Sequence, residues 1–225
     1  MSTFSKNLLT LSNKFEKWDQ ILFDCLKEQF EEDVDKELYT KTQVMLGDIL
    51  ELIITSYKPK DKWNSFTTRP LPFDNNVITI SQNIGVEITF GVSFSELSRG
   101  KTFYLESSIV KPHNIRRMDD NFWNKFLSLS SIGNFQFVDH GTLSSENCKK
   151  LARLFVNKKS NLFRLARDYM LFTMCEPDHI VDIGFFEMKW DWDIGDNKWE
   201  NLIKQTYEAF IIFYNLNNQL YKSCQ

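Results

Sequence analysis

Apolar residues at Leu8, Leu11, Phe15, Trp18, Leu22 and Cys25 recur at spacings of three and four. This rhythm draws a single stripe along a helix. Acidic residues then cluster at Glu28, Glu31, Glu32, Asp33, Asp35 and Glu37. They surround a turn and favour the first turn of a second helix electrostatically. Leu38, Met45, Ile49, Leu52 and Ile53 supply that helix with a buried face, and Pro59 stops it. Residues 1–57 are thus expected to form a helical hairpin. Its stripes pack on each other or on a sheet, or form the seam of a homodimer. They are too few for a coiled coil.

Residues 58–76 hold three of the five prolines and are expected to be a loop. Trp63, Phe66, Leu71 and Phe73 make this loop apolar, so that it packs onto the core or presents a binding surface with Trp63 in it. The pattern then changes to β-branched and aromatic residues with partial alternation at 77–81, 86–94 and 102–110. Short turns separate these runs, which predicts an antiparallel meander. Asp119 or Asp120 caps a short helix through Phe122, Trp123, Phe126 and Leu127, and 134–139 reads as another strand.

A long helical region is expected from Ser144 or Ser145 to about Thr173, with Leu151, Leu154, Phe155, Leu162, Leu165, Ala166, Tyr169 and Met170 inward. Pro177 ends it, and a strand follows. Asn197 and Glu200 have capping-box spacing for a final helix that buries Trp199, Leu202, Ile203, Phe210, Phe213, Tyr214 and Leu220. The expected fold is α+β, with residues 77–225 as its core. A mostly antiparallel sheet is covered by the long middle helix and the C-terminal helix, with the N-terminal hairpin added, in one compact domain overall.

Length and composition support this picture. The chain of 225 residues is 42% hydrophobic and 15% aromatic, enough apolar bulk for a core without disulfides. Cys25, Cys148, Cys175 and Cys224 are scattered and form no CxxC pair, which speaks against a zinc ribbon or a disulfide scaffold. No run approaches the ~18 apolar residues of a membrane span, and the charged N-terminus lacks the apolar core of a signal peptide. A cytoplasmic, soluble protein with no membrane partner is the expectation.

Charge is unevenly distributed. Residues 98–170 hold 13 basic and 6 acidic side chains, although the whole chain is at −3. Lys149, Lys150, Arg153, Lys158, Lys159, Arg164 and Arg167 line the outward side of the middle helical region. Such a face can contact nucleic-acid phosphates, pair with the acidic ends of the same chain, or meet an acidic partner. His113, His140 and His179 have no metal-binding spacing, and no GxxxxGK[ST], GxGxxG or GxSxG occurs.

The stretch PDHIVDIGFFEMKWDWDIGD, from Pro177 to Asp196, carries the strongest chemical signal. Pro177-Asp178 followed by Glu187-Met188-Lys189 resembles the signature of metal-dependent nucleases of the PD-(D/E)xK type. That resemblance covers about a dozen residues. It implies that Asp178 or Asp182 and Glu187 converge on Mg²⁺ while Lys189 positions the attacking water. Cleavage would then depend on Mg²⁺ or Mn²⁺ and be lost in Glu187→Ala and Lys189→Ala.

The same residues also alternate strictly from Phe186 to Asp193. Glu187, Lys189, Asp191 and Asp193 share one face, and Phe186, Met188, Trp190 and Trp192 share the other. An antiparallel strand with one solvated face gives this pattern without chemistry, and that is the reading favoured here. The favoured function is accordingly a non-catalytic, intracellular interaction protein of inhibitor, antidote, immunity or regulatory type, acting on a protein partner without a cofactor. Its recognition would rest on aromatic and cationic side chains. A metal-dependent nuclease or a nucleic-acid-binding protein is the alternative.

Overall fold

The computed structural model describes residues 3–28, 36–57, 66–71, 74–81, 87–95, 100–109, 118–139, 164–166, 184–192 and 198–221. The fold is α+β. Six strands form one antiparallel sheet: β1 (Phe66–Pro70), β2 (Asn76–Ser81), β3 (Glu87–Ser95), β4 (Gly100–Ile109), β5 (Asn134–Asp139) and β6 (Gly184–Asp191). Their order across the sheet is β1-β2-β3-β4-β6-β5. The helices are α1 (Thr3–Leu11), α2 (Phe15–Glu28), α3 (Lys36–Ser56), α4 (Asp120–Ser128) and α5 (Lys198–Tyr221). The chain divides into two compact units, Met1–Leu105 with Lys189–Ile211 and Glu106–Met188 with Ile212–Gln225. The boundaries fall within β4, β6 and α5.

In the first unit the N-terminal stripe lies on two helices rather than one, because a 3₁₀ turn at Ser12–Lys14 breaks it. The apolar rhythm continues through the break, so Leu8, Leu11, Trp18, Leu22 and Cys25 are all buried. On α3, Met45, Leu46, Ile49, Leu50 and Ile53 are fully buried. The Gln43 side chain donates to the carbonyls of Leu71 (2.6 Å) and Asp74 (2.7 Å), tying α3 to the connection between β1 and β2.

The segment 58–76 is not entirely a loop, since β1 lies inside it. β1 pairs with β2 from Phe66↔Ser81 to Pro70↔Val77, and β2 with β3 from Asn76↔Gly91 to Ile80↔Glu87. FTTRP has no apolar alternation and ends in proline, which is tolerated on an edge strand and hides such a strand from pattern reading. The three strands of the expected meander are β2, β3 and β4. Gly91 on β3 is required by close approach: a Cβ there would meet the Tyr104 ring at 2.3 Å. Tyr104 crosses β3 at this point, and its hydroxyl accepts from Asn76 on β2 at 3.1 Å.

The first half of α5 covers β4 within this unit. Trp199 packs on Phe103 at 5.8 Å, and also on Trp18 (5.1 Å), Phe15 (5.9 Å) and Trp192 (4.3 Å). Trp199, Leu202, Ile203 and Phe210 are buried, as their helical spacing predicts.

The second unit is built on phenylalanine. Phe186 of β6 meets Phe126 of α4 (5.6 Å), Phe135 and Phe137 of β5 (both 6.1 Å) and Phe213 of α5 (5.9 Å). Edge-to-face and tilted ring pairs of this kind add to the area term. Asp119 caps α4 by accepting the Phe122 N–H at 2.9 Å, and the Gln219 side chain donates to the same oxygen at 2.7 Å. These bonds hold the Asp119 carboxyl below the usual carboxylate range, the backbone bond from Phe122 contributing most. Of the expected long middle helix, residues 164–166 are helical with Leu165 buried. The rest of it lies outside the described residues.

Candidate functional site

β6 stands second from the edge of the sheet, between β4 and β5. Its alternation is largely as expected: Phe186, Met188 and Trp190 are buried, Lys189 is half-buried and Asp191 is exposed. Glu187 is the exception. It belongs to the polar side of the strand, yet only 5% of it is exposed. A carboxylate out of water needs hydrogen bonds in compensation. Gln136, on the neighbouring strand β5, donates its side-chain amide to the Glu187 carboxylate.

The β4–β6 pairing brings a second acid near. The Trp192 N–H donates to the Lys101 carbonyl at 2.8 Å, and Thr102 bonds Asp191 across the strands at 3.2 Å. Directly opposed residues share such bonds in antiparallel pairs. Continued without a bulge, this register sets Glu106 opposite Glu187. The buried positions agree, since Leu105 and Ser107 of β4 alternate in step with Met188 and Phe186 of β6. Spacing along β6 gave no signal for Glu106 or Gln136, because both reach the site only through strand pairing.

Glu187 and Lys189 thus lie two residues apart on one face of one strand, as the nuclease resemblance requires. The other acids of that resemblance, Asp178 and Asp182, lie outside the described residues. So do Trp63, Lys149, Lys150, Arg153, Lys158, Lys159 and Arg167. Arg164 is half-buried beside Leu165 and has an interaction partner. Among the described residues no group of three or more His, Cys, Asp or Glu side chains is placed to hold a metal ion.

The burial of Glu187 changes what its removal should do. An exposed strand glutamate is replaceable at little cost, but here truncation leaves the Gln136 amide without its acceptor. Glu187→Ala is expected to cost about 1–3 kcal/mol in urea unfolding, whereas Glu187→Gln keeps an acceptor and should cost less than half as much. Equal, negligible shifts for both variants would mean that water reaches this carboxylate.

A second feature lies between α2 and α3. A groove of about 390 Å³ is floored by Trp18, Ile21 and Met45, with Val44 on its lip and Lys14, Lys17, Lys41, Glu37 and Asp48 around its rim. The helical spacing that buries Met45 turns Val44 outward, and Val44 is 60% exposed. On the rim Lys14 pairs with Asp48 (2.9 Å) and Lys41 with Glu37 (3.0 Å). Lys17 is exposed and makes no ion pair with the described residues. The two apolar stripes were legible in the sequence, but the groove was not, because it depends on how far apart the helices pack.

Among the described residues no helix is long and apolar enough to cross a membrane. No family model matches the chain, and no curated protein or solved structure matches it significantly.

Proposed function

We propose that the protein acts by binding another protein, and that the α2–α3 groove receives an amphipathic helix of that partner. The observation that carries this reading is the groove itself, with an apolar floor of Trp18, Ile21 and Met45 and an exposed Val44 at its lip. A helix laid into a groove anchors itself through apolar side chains at helical spacing. Desolvated aromatic and aliphatic anchors supply most of the energy of such contacts. The rim specifies the charge of the occupant: two of its lysines are neutralised locally and Lys17 is not, so a carboxylate on the docked helix completes it. An inhibitor, antidote or regulatory protein works through a contact of this kind.

The test is affinity capture from the native host, after nuclease treatment, with three versions of the full chain. Val44→Glu places a charge on the lip without disturbing the core. It is expected to weaken capture by about 30-fold, the effect of losing a ~2 kcal/mol contact. Lys17→Glu is expected to weaken it less. Leu127→Glu, at an exposed position on α4, should capture the same partner as the unaltered chain. Undiminished capture by Val44→Glu would overturn the groove as the docking site.

A second reading, a metal-dependent nuclease, draws support from Glu187 and Lys189 on one face of β6 with Glu106 opposite Glu187. It requires Mn²⁺-dependent cleavage of nucleic acid that disappears in Lys189→Ala while the variant stays folded. Capture that vanishes on nuclease treatment would move the function toward nucleic acid.

A further inference from the structure

Lys101 is a lysine in an unusual position. It stands near the start of β4, and strand alternation puts its side chain on the same face as Phe103 and Leu105, the face covered by α5. Its backbone is pinned there by the Trp192 N–H. Lys198, the first residue of α5, reaches the same place from the other side. Its Nζ lies 2.8 Å from Asp19 Oδ1 and 4.9 Å from the centre of the Trp192 ring. Asp19 Oδ1 also accepts the Trp199 indole N–H at 3.1 Å.

The charges of Lys198 and Asp19 both act on Lys101, and the Asp19 carboxylate is already engaged by Lys198 and Trp199. Lys101 is half-buried and makes no hydrogen bond or ion pair through its ammonium with the described residues. Burial lowers its pKa, the charge of Lys198 lowers it further, and Asp19 and Cys25 only partly offset this. A half-buried ammonium with no acceptor among the described residues gains from an anion that completes it.

We propose that Lys101 and Lys198 form a binding site for the oxyanion of a small carboxylate or phosphate compound, with Trp192 as its aromatic wall. Both lysines donate to the bound oxygens, Lys198 from its place over the indole. Asp19 and the Trp199 N–H hold Lys198 in position. Among the described residues, Lys101, Lys198 and Asp19 leave a single positive charge, which one carboxylate or one phosphate monoanion neutralises. This site stands apart from the α2–α3 groove and does not depend on it.

The test is NMR of the lysine side chains in the full chain. The protein is titrated separately with inorganic phosphate and with acetate, and with sodium chloride at matched ionic strength. Saturable shifts confined to Lys101 and Lys198 are expected with at least one oxyanion, and none with chloride. Phosphate alone would assign the ligand to phosphate compounds, and acetate alone to carboxylates. Lys101→Met, which keeps the apolar stem, should weaken binding about tenfold, as expected for a lost hydrogen bond to a charged group. Lys101→Arg should retain binding, and Lys204→Met should not affect it.

The pH dependence follows from the sign of the lowered pKa. The anion binds the protonated lysine, so affinity is full below the pKa of Lys101 and falls as pH rises through it. Unsaturable shifts spread over all lysines, or unchanged binding in Lys101→Met, would overturn the proposal.

Discussion

Phe186→Ala is expected to lower the unfolding free energy by about 3–5 kcal/mol, as Phe-to-Ala truncations in packed cores do. Phe186 is fully buried and lies at the centre of the second unit's ring cluster. It touches Phe126, Phe135, Phe137 and Phe213, drawn from α4, β5 and α5. No small movement of one neighbour fills the space, because each of the four rings is held by a different part of its element. Whole domains are stable by only ~5–15 kcal/mol, so this one ring carries a large share. Urea unfolding followed by circular dichroism checks it: the midpoint should fall with the slope unchanged. The exposed Leu127→Ala should move it by no more than ~0.5 kcal/mol. A loss below ~1 kcal/mol for Phe186→Ala would mean that the rings are not close-packed.

Trp199→Ala should have a similar effect in the first unit, again about 3–5 kcal/mol. Its indole packs against Phe15, Trp18, Phe103 and Trp192, joining α2, α5 and the sheet. Its N–H also satisfies Asp19. Trp199→Phe separates the two contributions. It retains much of the ring contact but removes the donor, and should cost about 1–2 kcal/mol from the lost bond to a charged group and the smaller ring. Asp19 keeps its bond to Lys198 in both variants, which limits the penalty of the missing N–H. If Trp199→Phe cost as much as Trp199→Ala, hydrogen bonding and not packing would dominate at this position.

These predictions rest on elements that differ in how far the sequence reveals them. The strand around Phe186 is plain from its two-residue alternation, and α5 from the three-and-four spacing of Trp199, Leu202, Ile203, Phe210 and Phe213. Both patterns arise because each element buries one face, and periodicity records which one. β1 escaped because an edge strand needs only a partner's free hydrogen bonds, not an apolar side. The break at Ser12–Lys14 escaped because a short 3₁₀ turn barely shifts the stripe on either side of it.

The candidate sites were less legible than the fold. Glu187 and Lys189 stand out in the sequence, and alternation correctly assigns them to the polar side of β6. That side was expected to be wet, and Glu187 is not. Its cover and its partner, Gln136, come from outside its own strand, and no local pattern carries that information. Lys101, Lys198 and Asp19 each resemble an ordinary surface charge when met singly along the chain.

The sequence by itself determined the antiparallel α+β class, the positions of α3, α4, α5 and strands β2 to β6, and the apolar faces of the main helices and of β6. Those properties depend on near neighbours along the chain, where side-chain period and backbone geometry are coupled. Only the tertiary structure decided the strand order, the burial of Glu187 against Gln136, the groove between α2 and α3, and the placing of Lys198 between Asp19 and the Trp192 ring. These depend on which faces pack together and on the dielectric and spacing that result, and they arise between residues remote from one another in the chain.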